Sequence, residues 1–459
     1  MLIMEINQLV AQQRSYFKTN VTYDINFRIE ALKKLKDKIK LHERDIQDAL
    51  RIDLGKSPEE AYLTEIGMVY EELSFMIKHV RQFAKDKRVR TPLVHFYGKS
   101  FRRPVPHGTV LIMSPWNYPF LLAMGPTIDA LAAGNTVIIK PGSYAQATGF
   151  VIQKLIEATF ESKYVAVVLG GRQENQALLD QKFDYIFFTG STSVGRTVME
   201  KAAKHLTPVT LELGGKSPSI VDISADLAIA ARRIVFGKLI NCGQTCIAPD
   251  YVIVHKFVKD QFIELLIKEI KRQYGDDPLK AGRFGKIINE KHYERLIGLY
   301  QDEPISFGGQ TIGDQLKIEP TILGEATLDS KAMGEEIFGP ILPILTFETT
   351  EDIFAIIDQH PTPLALYLFT KDPVREKQIL SYIPFGGGCV NDTIVHIATT
   401  HMPFGGVGES GMGSYHGKQG FDTFTHYKSI HKKANWPDLF VRYQPYTKLK
   451  QNIIKKFLK

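Results

Sequence analysis

Residues 184–195 read DYIFFTGSTSVG, and this stretch decides the fold. An apolar run of strand length comes first, glycine and small polar residues follow it, and a helical pattern of apolar positions continues over residues 193–205. A short apolar run that ends in glycine is typical of a buried strand. The stretch therefore predicts a strand, a tight turn and a helix in direct succession.

The same pattern recurs along most of the chain. Further apolar runs bounded by glycine or proline lie at 109–113, 136–140, 164–170 and 209–215, and a second set lies at 251–255, 341–347 and 364–370. The helical segments include 144–160, 257–274 and 351–358, and two amphipathic runs, 22–50 and 58–86, precede them all. Buried strands that alternate with helices predict an α/β protein whose parallel sheets carry helices on both faces.

Length and composition exclude several classes of protein. At 459 residues the chain exceeds what one hydrophobic core supports, so we expect two or more structural units. Three cysteines are too few for a secreted disulfide scaffold, and we see no secretory signal, so we expect a cytoplasmic protein. The most apolar region, 108–134, contains three prolines and Asp129, which argues against a lipid-spanning helix. The net charge of +7 is spread along the chain, so we expect no nucleic-acid partner.

Two of the cysteines, Cys242 and Cys246, lie four residues apart in LINCGQTCIAPD (239–250). A structural zinc site needs two further Cys or His ligands, and only Cys389 remains, with no paired ligand near it in the sequence. We therefore expect no metal site. A nucleophile and simple packing remain as interpretations, and a free cysteine is more often packing.

Six motifs along the chain bear on whether one of these cysteines is a nucleophile or a packing residue: PWNYPF (115–120), FTGSTSVG (188–195), LELGGKSP (211–218), GQTCIAPDY (243–251), EEIFGP (335–340) and PFGGVGESGMGSYHGKQGFDTF (403–424). Their order and spacing resemble those of the aldehyde dehydrogenase superfamily, and most closely its class 3 and fatty aldehyde dehydrogenase branch. The resemblance covers essentially the whole chain.

This resemblance implies an aldehyde dehydrogenase-like fold with three parts and a tail. The expected parts are a Rossmann-like cofactor-binding domain (1–87 and 107–212), an α/β catalytic domain (213–412), a small β bridging element that joins subunits into at least a dimer (88–106 and 425–436), and a basic amphipathic tail (437–459).

The implied activity is NAD(P)-dependent oxidation of aldehydes to carboxylic acids through a thiohemiacetal and a thioester. A free aldehyde carbon has no electron pair that can expel a hydride, so a thiolate must first add to it, and Cys246 is the matching position. The Asn117 amide and the Cys246 backbone N–H would hold the oxyanion. Glu212 matches the base that activates water for hydrolysis of the thioester, although such a residue could otherwise cap a loop or a helix.

The resemblance also implies a set of cofactor-binding residues: Lys140, Ser143, Gly190, Ser191, Gly195, Glu336 and Phe338. The pyrophosphate would lie at the helix that begins after Gly190. Where the family often has a glutamate that bonds the ribose 2′-hydroxyl, this chain has Ser143. Serine does not repel a 2′-phosphate, so NAD or NADP is expected, with NAD modestly favoured.

Three residues resemble positions in the substrate funnel of the class 3 enzymes: Tyr118, Met68 and His416. Tyr118 and Met68 could equally be core residues, and a structural role is the stronger interpretation of His416. Aromatic surroundings favour aromatic or medium-chain to long-chain aliphatic aldehydes, because desolvation disfavours charged ones.

The last segment, YTKLKQNIIKKFLK, places Leu449, Ile453, Phe457 and, close by, Ile454 and Leu458 on one helical face among five lysines. Such a helix could lie on an anionic membrane, which would make the protein membrane-peripheral. Docking on its own subunit or on a partner is slightly favoured.

Three rival functions remain open. A CoA-acylating dehydrogenase or an acyl phosphate reductase of the same superfamily would not need Glu212. A catalytically silent scaffold protein could have lost Cys246, Asn117 or Glu212, whereas all three are present.

Overall fold

The computed structural model describes residues 2–280, 282 and 284–457, apart from the side chains of residues 2, 3, 94 and 457. Its helices are α1 (Leu2–Phe17), α2 (Ile25–Leu41), α3 (Glu43–Leu54), α4 (Pro58–Ala61), α5 (Gly67–Phe83), α6 (Leu121–Ala133), α7 (Gln146–Glu157), α8 (Arg172–Leu179), α9 (Thr192–Ala203), α10 (Leu227–Leu239), α11 (Lys259–Tyr274), α12 (Glu290–Gly298), α13 (Thr350–Ile357), α14 (Pro373–Tyr382), α15 (Gly417–Thr423) and α16 (Lys448–Phe457).

Its strands are β1 (Lys87–Val89), β2 (Gly98–Pro106), β3 (Thr109–Met113), β4 (Thr136–Lys140), β5 (Val165–Val167), β6 (Tyr185–Thr189), β7 (Val209–Glu212), β8 (Pro218–Val221), β9 (Tyr251–His255), β10 (Thr311–Ile312), β11 (Lys317–Ile318), β12 (Thr321–Leu323), β13 (Ile341–Phe347), β14 (Ala365–Phe369), β15 (Gly387–Val390), β16 (Gly411–Met412) and β17 (Thr425–Lys433).

Two six-stranded sheets carry the architecture and confirm the α/β prediction. The first has the order β16-β7-β6-β3-β4-β5, and its strands are parallel except for β16. The second has the order β12-β13-β9-β8-β14-β15 and is parallel throughout. The range predicted for the catalytic domain, 213–412, ends with β16. This strand pairs with β7 and so belongs to the first sheet. Strand β6 followed by α9 is the unit that DYIFFTGSTSVG predicted.

A third, antiparallel sheet has the order β1-β2-β17 and lies in the segments predicted as the bridging element. Strands β2 and β17 pair over nine residues, from Gly98 opposite Lys433 to Pro106 opposite Thr425. Since β17 is the outermost strand, one of its edges is left without a partner strand in the described part of this chain.

The N-terminal helices are bonded to the first sheet and its helices. The Gln13 side chain donates to the carbonyl oxygen of Val137 on β4 at 2.9 Å. The buried carboxylate of Asp53 on α3 accepts from the backbone N–H groups of Ala147 and Thr148 at 3.2 and 2.8 Å, and thereby caps α7. A side-chain cap satisfies donors that the first turn of a helix leaves unpaired.

The two helical runs predicted near the N-terminus are each interrupted. The predicted helix over 22–50 is divided at His42, whose backbone lies outside the helical region and separates α2 from α3. The run over 58–86 consists of α4, a π-helical turn at Tyr62–Ile66, and α5. Apolar periodicity continues across both interruptions, so the period alone could not locate them.

The most apolar region forms α6, which is buried along its entire length. It packs against α2, α5, α15 and strands of the first sheet. Among the described residues, no helix is both long enough and apolar enough to cross a membrane.

The tail helix α16 lies against its own chain. The Lys450 ammonium donates to the backbone carbonyl oxygen of Tyr443 at 2.8 Å. Ile453 and Ile454 line a cavity of about 990 Å³ together with Leu93, Phe96 and Phe440. Of the predicted apolar face, Leu449 is 66% exposed, the side chain of Phe457 is not described, and Leu458 lies outside the described residues.

Candidate active site

A largely apolar cavity of about 170 Å³ lies between the two large sheets and receives several of the predicted site residues. Glu212 reaches it from the end of β7, and Cys246 reaches it from the loop that precedes β9. Tyr118 and Met68 also line it. Glu212 and Tyr118 follow the carboxyl ends of strands of the first sheet, whereas Cys246 precedes a strand of the second sheet, so the site combines residues from both sheets.

The Cys246 thiol lies in surroundings that oppose its ionisation. Burial raises its pKa most, and the nearby carboxyl groups of Glu336 and Glu212 raise it further. The backbone N–H groups of Cys246 and Ile247 lower it by bonding to sulfur. Because burial outweighs these bonds, the thiol is protonated at neutral pH in the free protein and needs a proton acceptor before it can attack.

Glu212 is 2% exposed, and neither of its carboxyl oxygens has a hydrogen-bond partner among the described residues. Burial raises its pKa well above the usual value for a glutamate. A raised pKa makes the deprotonated form of such a carboxyl group a stronger base than an exposed glutamate, which suits it to accept a proton from water.

The amide of Asn117 is buried beside the nucleophile loop. Its Nδ2 donates one hydrogen to the backbone carbonyl oxygen of Gln244 at 3.0 Å, which fixes the plane of the amide. An amide nitrogen carries two hydrogens, so the second remains for another acceptor. The loop is held in turn by Gln244, whose side chain bonds to the backbone of Asn241, Lys286 and Ile288.

The three predicted substrate residues differ in their positions. Tyr118 and Met68 line the cavity, and the Tyr118 hydroxyl lies 2.6 Å from the Thr245 hydroxyl. His416 is not among the lining residues. Its ring is buried, and its Nδ1 lies 3.4 Å from the Glu72 carboxylate, which favours the structural interpretation.

A second cavity, of about 510 Å³, lies beyond the end of β4. Ser143 lines it and is exposed, whereas Lys140 beside it is buried and donates to the carbonyl oxygens of Pro141 and Gly170, each at 2.8 Å. Burial lowers the pKa of Lys140 to about 8. The cavity walls are mainly small residues and backbone, which suits a flat ring and a ribose.

The helix α9 begins shortly after the carboxyl end of β6 in the first sheet. Ser191 is its N-cap residue, and its side chain makes no capping bond to the helix and lies 3.2 Å from the Ser193 hydroxyl. The backbone N–H groups of the first turn are therefore open to an anion. Gly195 lets this helix approach the sheet, because a side-chain carbon there would lie 2.7 Å from Leu213 Cδ2. Gly190 precedes the helix at the end of β6.

Glu336 and Phe338 lie in the loop that precedes β13. One carboxyl oxygen of Glu336, Oε1, is buried without a hydrogen-bond partner among the described residues, and burial raises the pKa of Glu336 to about 8. Phe338 has φ +53°, and its ring meets the Trp116 ring edge-on at 5.4 Å. An unpartnered buried oxygen marks a place where a hydroxyl group of a ligand can donate.

Comparison with known proteins identifies the family. The Aldehyde dehydrogenase family matches residues 4–430. The chain is 48% identical to the 4,4'-diaponeurosporen-aldehyde dehydrogenase of Staphylococcus aureus, over 99% of each chain. It is 41% identical to the dimeric NADP-preferring aldehyde dehydrogenase of Canis lupus familiaris, over 96% of this chain and 98% of the relative. A solved structure, the substrate-bound state of Staphylococcus aureus AldH, superimposes with a TM-score of 0.98 at 48% identity and 99% coverage of each chain.

This chain belongs to the aldehyde dehydrogenase family. It is an oxidoreductase that oxidises aldehydes with NAD(P), and its relatives include family 3 members at about 40% identity. The second cavity, the open first turn of α9 and the unpartnered Glu336 oxygen fit a dinucleotide.

The aldehyde dehydrogenase holds the loop around Glu336 with a buried ion pair that sequence reasoning missed. The Lys216 ammonium lies 2.5 Å from the Asp250 carboxylate and also donates to the carbonyl oxygens of Ala332 and Glu335, each at 2.9 Å. The other oxygen of Asp250 accepts from the backbone N–H of Ile337. Lys216 lies within the motif LELGGKSP and Asp250 within GQTCIAPDY. Their place in these motifs is the one feature of the sequence that could have indicated the ion pair.

Other missed residues form the walls of the aldehyde dehydrogenase cavity. They come from α6, α10 and the C-terminal loops, and include Leu121, Leu122, Phe236, Ile240, Ile394, Phe404 and Tyr415. Apolar residues of this kind are common in any core, so nothing in the sequence separates them from packing.

We predict that Asp250→Asn lowers the free energy of unfolding by about 3–5 kcal/mol, because it leaves the Lys216 ammonium buried without a counter-charge. Urea unfolding at fixed protein concentration measures this loss. The control is Glu325→Gln, which breaks the pair with Lys259 at a carboxylate that is 69% exposed and should cost less than about 1 kcal/mol. Equal losses in the two variants would contradict the prediction.

Proposed function

We propose that this aldehyde dehydrogenase oxidises apolar aldehydes through a covalent intermediate on Cys246, with Asn117 as oxyanion donor and Glu212 as base. The observation that carries the proposal is the cavity that Cys246 and Glu212 share, in which the buried Glu212 carboxyl group has no hydrogen-bond partner within the described part of the chain. Asn117 lies beside it, with its amide plane fixed by Gln244.

The first step is addition of the Cys246 sulfur to the aldehyde carbon. The thiol passes its proton to solvent as the carbon–sulfur bond forms, so Glu212 remains free to act as the base in the later hydrolysis. As the carbon becomes tetrahedral, its oxygen gains a negative charge. The Asn117 amide and the Cys246 backbone N–H stabilise that charge, which is the usual arrangement of an oxyanion hole.

The thiohemiacetal then loses its C–H hydrogen with both bonding electrons and becomes a thioester on Cys246. When bound, NAD(P)+ supplies the acceptor for that electron pair. Lys140, Ser143, Ser191 and the backbone N–H groups that follow Gly190 would hold the adenine ribose and pyrophosphate, Gly195 would keep α9 close to the sheet, and Glu336 and Phe338 would hold the nicotinamide riboside.

Hydrolysis of the thioester completes the cycle. Glu212 accepts a proton from water, the resulting hydroxide adds to the thioester carbon, and the Cys246 thiolate leaves as the carboxylic acid forms. Retention of a buried, unpartnered Glu212 supports hydrolysis over transfer to CoA or phosphate, because those acceptors do not require activation of water.

The substrate class follows from the lining of the cavity. Its walls are mainly aliphatic and aromatic, with three threonines among them, and Met68 and the exposed Leu63 line it as well. Burial of an uncharged chain against such walls contributes about 25 cal/mol per Å² of apolar surface, whereas a charged substrate would lose its hydration without compensation. We propose aromatic and medium-chain to long-chain aliphatic aldehydes as substrates.

For the cofactor we propose that both NAD and NADP are accepted and that NAD is modestly preferred. Ser143 carries no charge that would repel a 2′-phosphate. Lys140 already donates to two backbone carbonyl oxygens, which limits its use as a partner for that phosphate.

We further propose a homodimer joined through the three-stranded sheet, since β17 presents an edge that a second copy can extend. The contacts of α16 with Tyr443 and with the cavity beside Phe440 support docking of the tail on protein.

The first prediction from the proposed function concerns Glu212→Gln. We expect one equivalent of NAD(P)H per active site in a burst with hexanal, followed by turnover reduced about 10²-fold to 10⁴-fold, because only hydrolysis needs the base. In the wild type, the turnover number should rise with pH, since the pKa of Glu212 is raised and the base works only when deprotonated. Stopped-flow absorbance measures both.

The control for that experiment is Glu30→Gln on α2, whose carboxylate is 70% exposed and should leave the burst and the turnover unchanged. Full turnover in Glu212→Gln would remove Glu212 from the proposed mechanism. Cys246→Ala should abolish the burst, and a burst that survives it would remove the thiol.

A second prediction concerns the cofactor. We expect Ser143→Glu to lower kcat/KM for NADP by about 100-fold and to leave that for NAD within about threefold, because a carboxylate repels the 2′-phosphate. Steady-state kinetics with hexanal and each cofactor measure the change, and Ser143→Ala is the matched control. An equal loss with NAD would place Ser143 away from the ribose.

A third prediction concerns assembly. We expect light scattering of the purified protein to give twice the mass of one chain. Deletion of residues 447–459 should leave both that mass and the turnover of hexanal unchanged, because α16 contacts neither cavity of the candidate active site. A monomeric full-length protein would contradict the dimer, and a folded but inactive truncation would contradict the assignment of the tail.

A further inference from the structure

The nucleophile loop contains a backbone conformation that few sequences adopt. Asn241, Cys242 and Gly243 all have positive φ, at 53°, 54° and 75°. The left-handed region suits glycine and is tolerated by asparagine, but it is unfavourable for cysteine. Successive residues in this region persist only where surrounding bonds hold them. The turn ends three residues before Cys246.

One of those bonds comes from a distant part of the chain. The Oε1 atom of Glu60, on α4, accepts from the backbone N–H of Asn241 at 2.7 Å. The Glu60 carboxyl group is largely surrounded by protein, and desolvation raises its pKa while Lys56 and the Asn241 N–H lower it. A bond from a backbone N–H to a carboxylate is charge-assisted and therefore stronger than one between neutral groups.

The same turn is bonded to the segment that carries the proposed oxyanion donor. The Asn241 side chain donates to the backbone carbonyl oxygen of Asn117 at 2.7 Å and to that of Gln244 at 3.1 Å. Gln244 accepts in turn from the Asn117 amide. Asn241 is thus the joint between the segment that carries Asn117 and the loop that carries Cys246.

We propose that Glu60 is a positioning residue of this active site. Its carboxylate holds the Asn241 backbone in the left-handed turn, and the turn sets the position of the Asn117 amide relative to the Cys246 sulfur. The inference rests on the proposed roles of Cys246 and Asn117. A misplacement of about 1 Å in such an arrangement lowers the rate of the chemical step by about 100-fold.

The neighbouring charges support this assignment. The Lys56 ammonium lies 2.6 Å from Glu65 and 4.1 Å from the centre of the Tyr118 ring. Glu65 accepts from the backbone N–H groups of Phe120 and Leu121 at 2.8 and 3.1 Å, at the start of α6. The segment 56–65 therefore contacts both sides of the oxyanion site, and Glu60 is its contact with the nucleophile side.

Two variants of matched length test the proposal in the full-length enzyme. Glu60→Met removes the acceptor, and Glu60→Gln keeps a carbonyl oxygen that can accept the same N–H. With hexanal and NAD in stopped flow, we expect Glu60→Met to slow the burst rate by about tenfold to 100-fold while the KM for hexanal changes less than about threefold. We expect Glu60→Gln to restore the burst rate to within about threefold of the wild type.

Burst amplitude separates this role from a merely structural one. A residue needed only for folding would reduce the amplitude, which counts the active sites, and would leave the rate of each folded site unchanged. Glu71→Ala, an exposed carboxylate on α5, is the control and should match the wild type in rate and amplitude. A normal burst rate in Glu60→Met, or no recovery in Glu60→Gln, would overturn the proposal.

If Glu60→Met does not fold, Glu60→Asp tests the positioning role instead. It keeps the charge but withdraws the acceptor oxygen by the length of one methylene group. We then expect a burst at least about fivefold slower at an unchanged thermal unfolding temperature. A wild-type burst rate would overturn the positioning role. Failure of the proposed function is recognised separately, since the wild-type enzyme would then show no burst that depends on Cys246.

Discussion

Burial of ionisable groups at the edge between the two large sheets is the constraint on which the rest of the active site depends. Cys246, Glu212 and Glu336 converge there, and burial is the largest cause of the raised pKa of each. Desolvation disfavours the charged form of a carboxyl or thiol group, so each of these three groups holds its proton more firmly than it would in water.

The scaffold holds these groups with charges that are themselves neutralised. Lys216 and Asp250 pair at 2.5 Å and bond to the backbone around Glu336, while Lys56 and Glu65 pair at 2.6 Å and bond to the start of α6. Removing one partner of such a pair leaves an uncompensated charge, which is far more costly than losing an exposed pair. The Glu212 carboxyl group, in contrast, has no hydrogen-bond partner among the described residues, and a chemical role is proposed for it.

The sequence predicted the regular part of this fold closely and the irregular part poorly. Strands β3, β4, β9 and β13 have the predicted bounds, because buried strands of a parallel sheet are continuous apolar runs. The break at His42, the π-helical turn at Tyr62–Ile66 and the left-handed turn at Asn241–Gly243 carried no comparable pattern. Two predicted site residues, Cys246 and Glu212, line one cavity. Both could be recognised in the sequence because they lie in conspicuous motifs. Glu60 and His416 depend on contacts with residues more than 150 positions away, which no single stretch of sequence displays.

The apolar lining of the cavity connects substrate choice with the proposed chemistry. The walls that disfavour charged aldehydes are also the surroundings that raise the pKa of Glu212, since both effects come from burial beside mainly apolar side chains. A substrate that fills the cavity with an apolar chain keeps the base in that environment. A polar substrate would bring water or donors to the carboxylate, lower its pKa and weaken it as a base. Specificity and the strength of the base would then be two consequences of the same side chains, so a change in the wall would alter both together.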